Sequence, residues 1–337
     1  MTRDKYIRTI HKNNAVYFIR VLVAIFSVIM FYSRISASDS KTLVWSDEFN
    51  ETVFDTSKWV FDIGNGEASL AGWGNNELEY YTSRTENVRT ENGNLIIEAR
   101  KESYQGCAYT SSRIKTKARG DWTYGRFEAR AKLPKGKGIW PAIWMLPTDN
   151  YYGGWAASGE IDIMELIGHE PSKVYGTIHY GGAWPENLSS GNNYTLVSGD
   201  FSDDFHVFTI EWDTAGITWF VDSIKFFTVK HGQPFDKSFH WLLNVAVGGN
   251  WPGAPDAATT FPVQMVVDYV RVYQNVATSV NNKKVLNKST LPLVNLPEKS
   301  VFTISGRNCG LSKTSAQPFI YFSDVLRLRN INISFEK

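Results

Sequence analysis

Cysteine is scarce in this chain: 337 residues hold two, Cys107 and Cys309, far apart in sequence. Nothing in their placement supports a bridge, and both read as unpaired thiols. No CxxC pair or His/Cys cluster is present, which excludes a zinc or iron centre of the usual ligand spacing. An excess of one charge is missing too, with 35 basic against 34 acidic side chains. A nucleic-acid-binding face needs a basic footprint, so that class of partner is not expected. No segment sustains the 3.6-residue apolar period of an amphipathic helix. The apolar run at 21–32 (VLVAIFSVIMFY) is shorter than the roughly 20 residues that a membrane-spanning helix requires.

That run follows Arg3, Lys5, Arg8, Lys12 and Arg20 and precedes the small residues Ser36, Ala37 and Ser38. A basic region, a short apolar stretch and a small-residue cleavage zone make an export signal over residues 1–38, an uncleaved anchor being the competing reading. The mature protein is then expected to be secreted or extracytoplasmic, monomeric and without a membrane segment.

Aromatic residues are abundant instead, at 14% with 12 tryptophans, while the hydrophobic fraction of 43% is ordinary. Tryptophan is rarely buried completely, so a dozen cannot all be core filler. Their faces suit the apolar faces of sugar rings, and about four or five are expected to line a groove.

From residue 42 to 274 short runs of alternating polarity are punctuated by Gly, Asn and Asp. Residues 94–101 (NLIIEARK), 113–117 (RIKTK), 125–133 (GRFEARAKL), 175–180, 206–212 (HVFTIEW), 217–221 (ITWFV) and 264–273 (QMVVDYVRVY) read as strands. In GRFEARAKL, Phe127, Ala129, Ala131 and Leu133 alternate with Arg126, Glu128, Arg130 and Lys132, the pattern of a half-buried strand. The continuous apolar run 139–146 (IWPAIWML) reads as a strand buried on both sides. One all-β domain over residues 39–274, a sandwich or jelly roll, accounts for this pattern; two smaller β domains would need a linker that the range lacks. Residues 275–300 are polar with scattered Pro and read as a linker. The tail 301–337 is too short for a core of its own.

The hexapeptide Glu160-Ile161-Asp162-Ile163-Met164-Glu165 places three carboxylates in a short apolar stretch, where buried charge is costly unless it has a task. Strand alternation puts Glu160 and Asp162 on one face and Glu165 on the other. One extra residue at Ile163 or Met164, forming a β-bulge, would return Glu165 to the face of the other two. Three acids on one face of a sheet suit a glycosidase centre; a cation- or partner-binding acidic cluster is the rival reading.

Around this hexapeptide, WSDEF (45–49), WGNNELEYYT (73–82), SSRIKTK (111–117), WPAIWML (140–146), GEIDIME (159–165) and GGNWPG (248–253) occur in order. Together they resemble the laminarinase-type members of glycoside hydrolase family 16, over about residues 43–273. The ExDxxE spacing is similar to the bulged subgroup of that family. The resemblance implies a β-jelly roll, a sandwich of two antiparallel sheets whose concave face is an open cleft for a glucan chain. It implies a retaining, endo-acting hydrolase of internal β-1,3 linkages in laminarin-type β-glucans. Mixed-linkage glucan (lichenan), another polysaccharide of the family, or a non-catalytic β-glucan-binding protein are the alternatives.

By the same resemblance Glu160 is the nucleophile, Glu165 the general acid/base, and Asp162 a partner of Glu160. Trp155 would stack on the sugar at the cleavage point, and Asn76 and Arg113 would hydrogen-bond substrate hydroxyls, a surface ion pair being the alternative for Arg113. Trp140 and Trp144 share a face that is either cleft or core. His179 either approaches the acids or caps a strand end. Asn250 and Trp251 fall in a glycine-rich loop suited to the cleft rim, with Trp251 as a sugar platform. Glu67 and Glu170 stay undecided. No organic cofactor is implied, but a structural Ca2+ at Glu48, Gly93 and Asp268, away from catalysis, is in keeping with the resemblance.

Overall fold

Strand alternation decides which face of each sheet is dry. The strand Gly125–Lys132 buries Phe127, Ala129 and Ala131 and leaves Arg126 and Arg130 on its other face. The protein is described here from a computed structural model, over residues 41–275. The expected signal, nearly all of the expected linker, the 301–337 tail and Cys309 lie outside the described residues. Cys107 is a free thiol.

Two sheets carry the described residues. One has seven strands in the order Asn187–Thr195, Lys173–Gly181, Glu160–Glu165, Ile139–Pro147, Phe239–Val247, Arg113–Lys115, Val60–Asp62, antiparallel throughout. The other has ten, centred on Gly125–Lys132, Val263–Gln274 and Asn94–Tyr104. Its one parallel pair joins Glu79–Tyr81 to Cys107–Ser111. This is the jelly roll expected from the sequence.

The core lies between the sheets. Phe127 of the ten-stranded sheet meets Trp241 of the seven-stranded one at 5.9 Å between ring centroids, and Trp212 meets Phe239 at 5.4 Å. All four are buried, each contributing roughly 1.5–3 kcal/mol relative to exposure. The strands His206–Trp212 and Ile217–Val221 begin and end where their alternation does.

Two strands depart from expectation. The run 139–146 is not dry on both sides: Ile139, Ile143 and Met145 face the core, but Trp140, Trp144 and Leu146 line a cleft. Tryptophans on a groove wall mimic a core run because they are apolar. Phe239–Val247 (FHWLLNVAV), buried along its whole length, shows no alternation: one face lies on the core, and the other, with His240, Leu242, Asn244 and Ala246, forms part of the cleft floor.

Candidate active site

The seven-stranded sheet turns its outer face to a cleft of about 1040 Å³, and the acidic strand Glu160–Glu165 runs along its floor. Against Lys173–Gly181, Glu160 pairs with His179, Asp162 with Thr177 and Glu165 with Tyr175. Against Ile139–Pro147, Asp162 pairs with Trp144, Met164 with Ile143 and Glu165 with Ala142. Both ladders slip by one residue between Asp162 and Glu165, which is the expected bulge. Its effect is the expected one: Ile161, Ile163 and Met164 all enter the core, and Glu160, Asp162 and Glu165 all face the cleft.

Each acid has a fixed neighbour. Trp155 donates its indole N–H to Glu160 Oε2 at 2.8 Å, and Trp140 donates to Glu165 Oε1 at 3.0 Å. His179 Nε2 lies 3.3 Å from Asp162 Oδ2 and 3.9 Å from Glu160 Oε1. His179 therefore approaches the acids and does not merely cap a strand. Glu160, Asp162 and His179 converge closely enough to hold a cation. Two indole donors beside the carboxylates, in an aromatic groove, suit a sugar better than an ion.

Burial raises all three carboxyl groups above their usual range. For Glu160 burial acts first and Asp162 second, pushing it to about 8; Asp162 is raised to about 8 by burial. Glu165 is raised well above, first by burial, then by the charges of Asp162 and Glu160. His179 and one indole N–H favour ionisation of Glu160 and of Glu165 alike, and Arg113 favours that of Glu160 as well.

Six tryptophans line the cleft, Trp73, Trp140, Trp144, Trp155, Trp184 and Trp251, against the four or five expected. Trp140 and Trp144 are therefore cleft residues. Trp251 stands 40% exposed, its ring nearly perpendicular to those of Trp140 and Tyr175. Arg113 is more than a surface ion pair: its guanidinium lies between the rings of Trp73 (4.6 Å) and Trp144 (4.7 Å), with Nε 3.1 Å from Asp62. Asn250 lines the cleft, but Asn76 does not. Asn75 takes that place, and Asn76 braces the rim by donating to Asn250 Oδ1 at 2.7 Å. Neither Glu67 nor Glu170 is on the wall; Glu170 accepts a hydrogen bond from Tyr175, which is.

Sequence reasoning missed Trp73, Tyr175, Trp184, His240 and Asn244. The last two carried a signal: polar residues four apart, hence on one face, in the otherwise apolar run FHWLLNVAV. His240 is held neutral, its pKa lowered to about 3 by burial and by Lys117, Lys115 and Arg113.

The three positions expected to hold calcium are engaged in different ways. Both carboxylate oxygens of Glu48 bond to Arg271, so its side chain does not fit as a ligand. Asp268 gives Oδ2 to Arg130 at 2.6 Å. It is also the extra residue of a bulge in Val263–Gln274, between Val267 paired with Ala131 and Tyr269 paired with Arg130. Its Oδ1 and a main chain released from the ladder are hard oxygen donors of the kind that calcium takes.

Residues 75–271 match the family described as glycosyl hydrolases family 16. The chain is 45% identical over 256 residues to the glucan endo-1,3-beta-glucosidase A1 of Niallia circulans, covering 69% of this chain and 38% of that protein. It is 46% identical over 251 residues to a beta-glucanase of Rhodothermus marinus, covering 69% of this chain and 85% of that protein. Among solved structures, the laminarinase catalytic domain of Thermotoga maritima superposes with a TM-score of 0.65 at 47% identity. That match covers 69% of this chain and 98% of that one.

Proposed function

The chain belongs to glycosyl hydrolase family 16, and on that premise we propose that it is a retaining, endo-acting glycoside hydrolase that cleaves internal β-1,3-glucosidic bonds of laminarin-type β-glucans. The observation that carries this reading is the bulge at Ile163–Met164, which brings Glu165 into the cleft beside Glu160 and Asp162.

The chemistry follows from the two glutamates. Ionised Glu160 attacks the anomeric carbon while the bond to the leaving oxygen breaks and Glu165 delivers its proton there. This step leaves a glycosyl ester on Glu160. Glu160 is now neutral, so Glu165, ionised, takes a proton from water as the water oxygen attacks the anomeric carbon and releases Glu160. Two inversions give net retention. The Trp155 and Trp140 N–H groups hold the two carboxylates in place without supplying a proton. The groove, walled by six tryptophans, suits a run of sugar rings of a glucan chain. A calcium ion at Asp268 and the main-chain oxygens of Glu48 and Gly93 would brace the ten-stranded sheet without entering the reaction. Export through residues 1–38 would bring the enzyme to its polysaccharide.

Product analysis on laminarin, lichenan and agarose side by side tests the reading. Laminarin is cut to short oligosaccharides whose new reducing ends appear first as the β-anomer by proton NMR. Glu160→Gln releases no reducing sugar above background. Preferred cleavage of lichenan or agarose would reassign the linkage, α-anomer first would overturn retention, and equal release by Glu160→Gln would sink the catalytic assignment of Glu160.

A further inference from the structure

The motif WGNNELEYYT contributes Trp73, Gly74, Asn75 and Glu77 to the cleft wall, but its buried Tyr81 has no place in the reaction above. Tyr81 is completely buried. Its hydroxyl donates to Glu77 Oε2 at 3.2 Å and accepts from Asn244 Nδ2 at 3.0 Å. Asn244 Oδ1 in turn accepts the indole N–H of Trp144 at 2.7 Å.

The direction of this relay is forced. An indole N–H can only donate, so Asn244 must present its oxygen to Trp144 and its NH2 to Tyr81. Tyr81 must then pass its own proton on, and Glu77 is the acceptor. Glu77 is steadied on its other oxygen by Asn75, whose Nδ2 donates at 3.1 Å. Tyr81 acts on the opposite flank as well, since its ring lies 5.5 Å from that of Trp73. Trp73 and Trp144 are the two rings between which the Arg113 guanidinium is held.

We propose that Tyr81, anchored by Glu77, is a positioning residue that sets the Trp73–Arg113–Trp144 sandwich from beneath, and with it the sugar-binding wall of the cleft beside the acids. Tyr81 touches no substrate and acts through Asn244 and Trp73. The link to sugar binding rests on the hydrolase reading; the relay itself does not.

The test has one arm for each. In 15N-labelled protein, the Trp144 indole N–H signal is assigned by its loss in Trp144→Phe. Tyr81→Phe removes one oxygen and is expected to move that signal upfield, while indole signals remote from the cleft stay in place. Glu77→Gln keeps one acceptor oxygen and should give a smaller shift of the same sign, which also covers the case that Tyr81→Phe does not fold. A Trp144 signal unmoved in both variants overturns the relay. In the second arm, Tyr81→Phe is expected to raise KM for laminarin by about fivefold, with kcat within about twofold of wild type. In Tyr81→Phe/Trp144→Phe the two KM effects should not multiply. Multiplying effects, or a loss confined to kcat, overturn the positioning role. If wild-type protein fails to cut laminarin, the hydrolase reading falls, and the indole shift still decides the relay.

Discussion

Trp219 of the ten-stranded sheet reaches across the core and donates its indole N–H to the main-chain carbonyl of Asp162 at 2.8 Å. A bulge removes part of the strand from its ladder, and a buried carbonyl left alone would cost about 1–3 kcal/mol. Trp219 satisfies that group at the residue where the register slips. Space for the ring comes from Gly176 on the neighbouring strand, where a Cβ would come within 2.4 Å of the indole. The kink that aims Glu165 is therefore held from the side opposite the cleft.

Replacing Trp219 by Phe removes this donor and should destabilise the fold by about 1–3 kcal/mol beyond the lost packing. Because it loosens the bulge, the loss in activity should fall on kcat more than on KM. Trp241→Phe is the matched control, since Trp241 is equally buried but its indole nitrogen has no hydrogen-bond partner. Denaturant unfolding and laminarin kinetics on both variants decide the point. Similar losses of kcat in the two would show that Trp219 acts through packing alone.

The bulge is one residue long, so removing one residue should restore a regular strand. Deletion of Ile163 puts acids at i, i+2 and i+4, again on one face, with the flanking register unchanged. The variant should fold, less stable by about 2–5 kcal/mol for the lost core side chain. It should retain more activity than Glu165→Ala, whose rate is expected to fall by about 10²–10⁴. Reducing-sugar assays and melting curves test this. A folded deletion variant as inactive as Glu165→Ala would mean that the bulge supplies geometry a flat strand cannot.

The acids and their bulge were legible because a period-2 strand makes Glu165 an anomaly that only an inserted residue resolves. The strand His206–Trp212 was legible for the same reason: alternation shows wherever one face is wet. Phe239–Val247 hides that signal because it is buried along its whole length, and the cleft-facing His240 and Asn244 were passed over with it. Asn75 and Asn76 could not be told apart, since they sit in a loop where backbone conformation alone selects the neighbour that points inward. Asn76 has φ of 59°, in the left-handed region, and nothing periodic announces that. The contacts made by Tyr81 and Trp219 join distant segments, and no local pattern records them.

Calcium should stabilise the fold without being needed for bond cleavage. Chelation by EDTA is expected to lower the melting temperature by about 4–8 °C per kcal/mol lost for a small domain, and less for one of this size. Added Ca2+ should restore it, and activity below the transition should be unaffected. Asp268→Asn should remove the response to chelator. Glu48→Gln should retain it, because the Glu48 carboxylate is occupied by Arg271. A melting temperature indifferent to EDTA would dispose of the metal.

The acidic cluster of the cleft should weaken the fold as pH rises. Glu160 has a pKa of about 8 in the folded protein against an ordinary value of 4.5, chiefly because it is buried and secondly because Asp162 is beside it. Between those two values the folded state holds a proton that the unfolded state has released. The contribution of Glu160 to stability is therefore fully present below about pH 4.5 and is lost as pH rises through about 8. Glu160→Gln carries no charge to bury. It should match the wild type near pH 4 and exceed it in unfolding free energy near pH 8, by an amount on the order of 4 kcal/mol. The same ionisation that opposes folding would create the proposed nucleophile, so in the wild type activity should rise over part of the range in which stability declines. Activity should then fall again once Glu165 loses its proton, giving a bell-shaped profile. Urea unfolding of both proteins at the two pH values checks the linkage. An advantage of Glu160→Gln that does not grow with pH would mean that Glu160 is already ionised in the folded protein throughout.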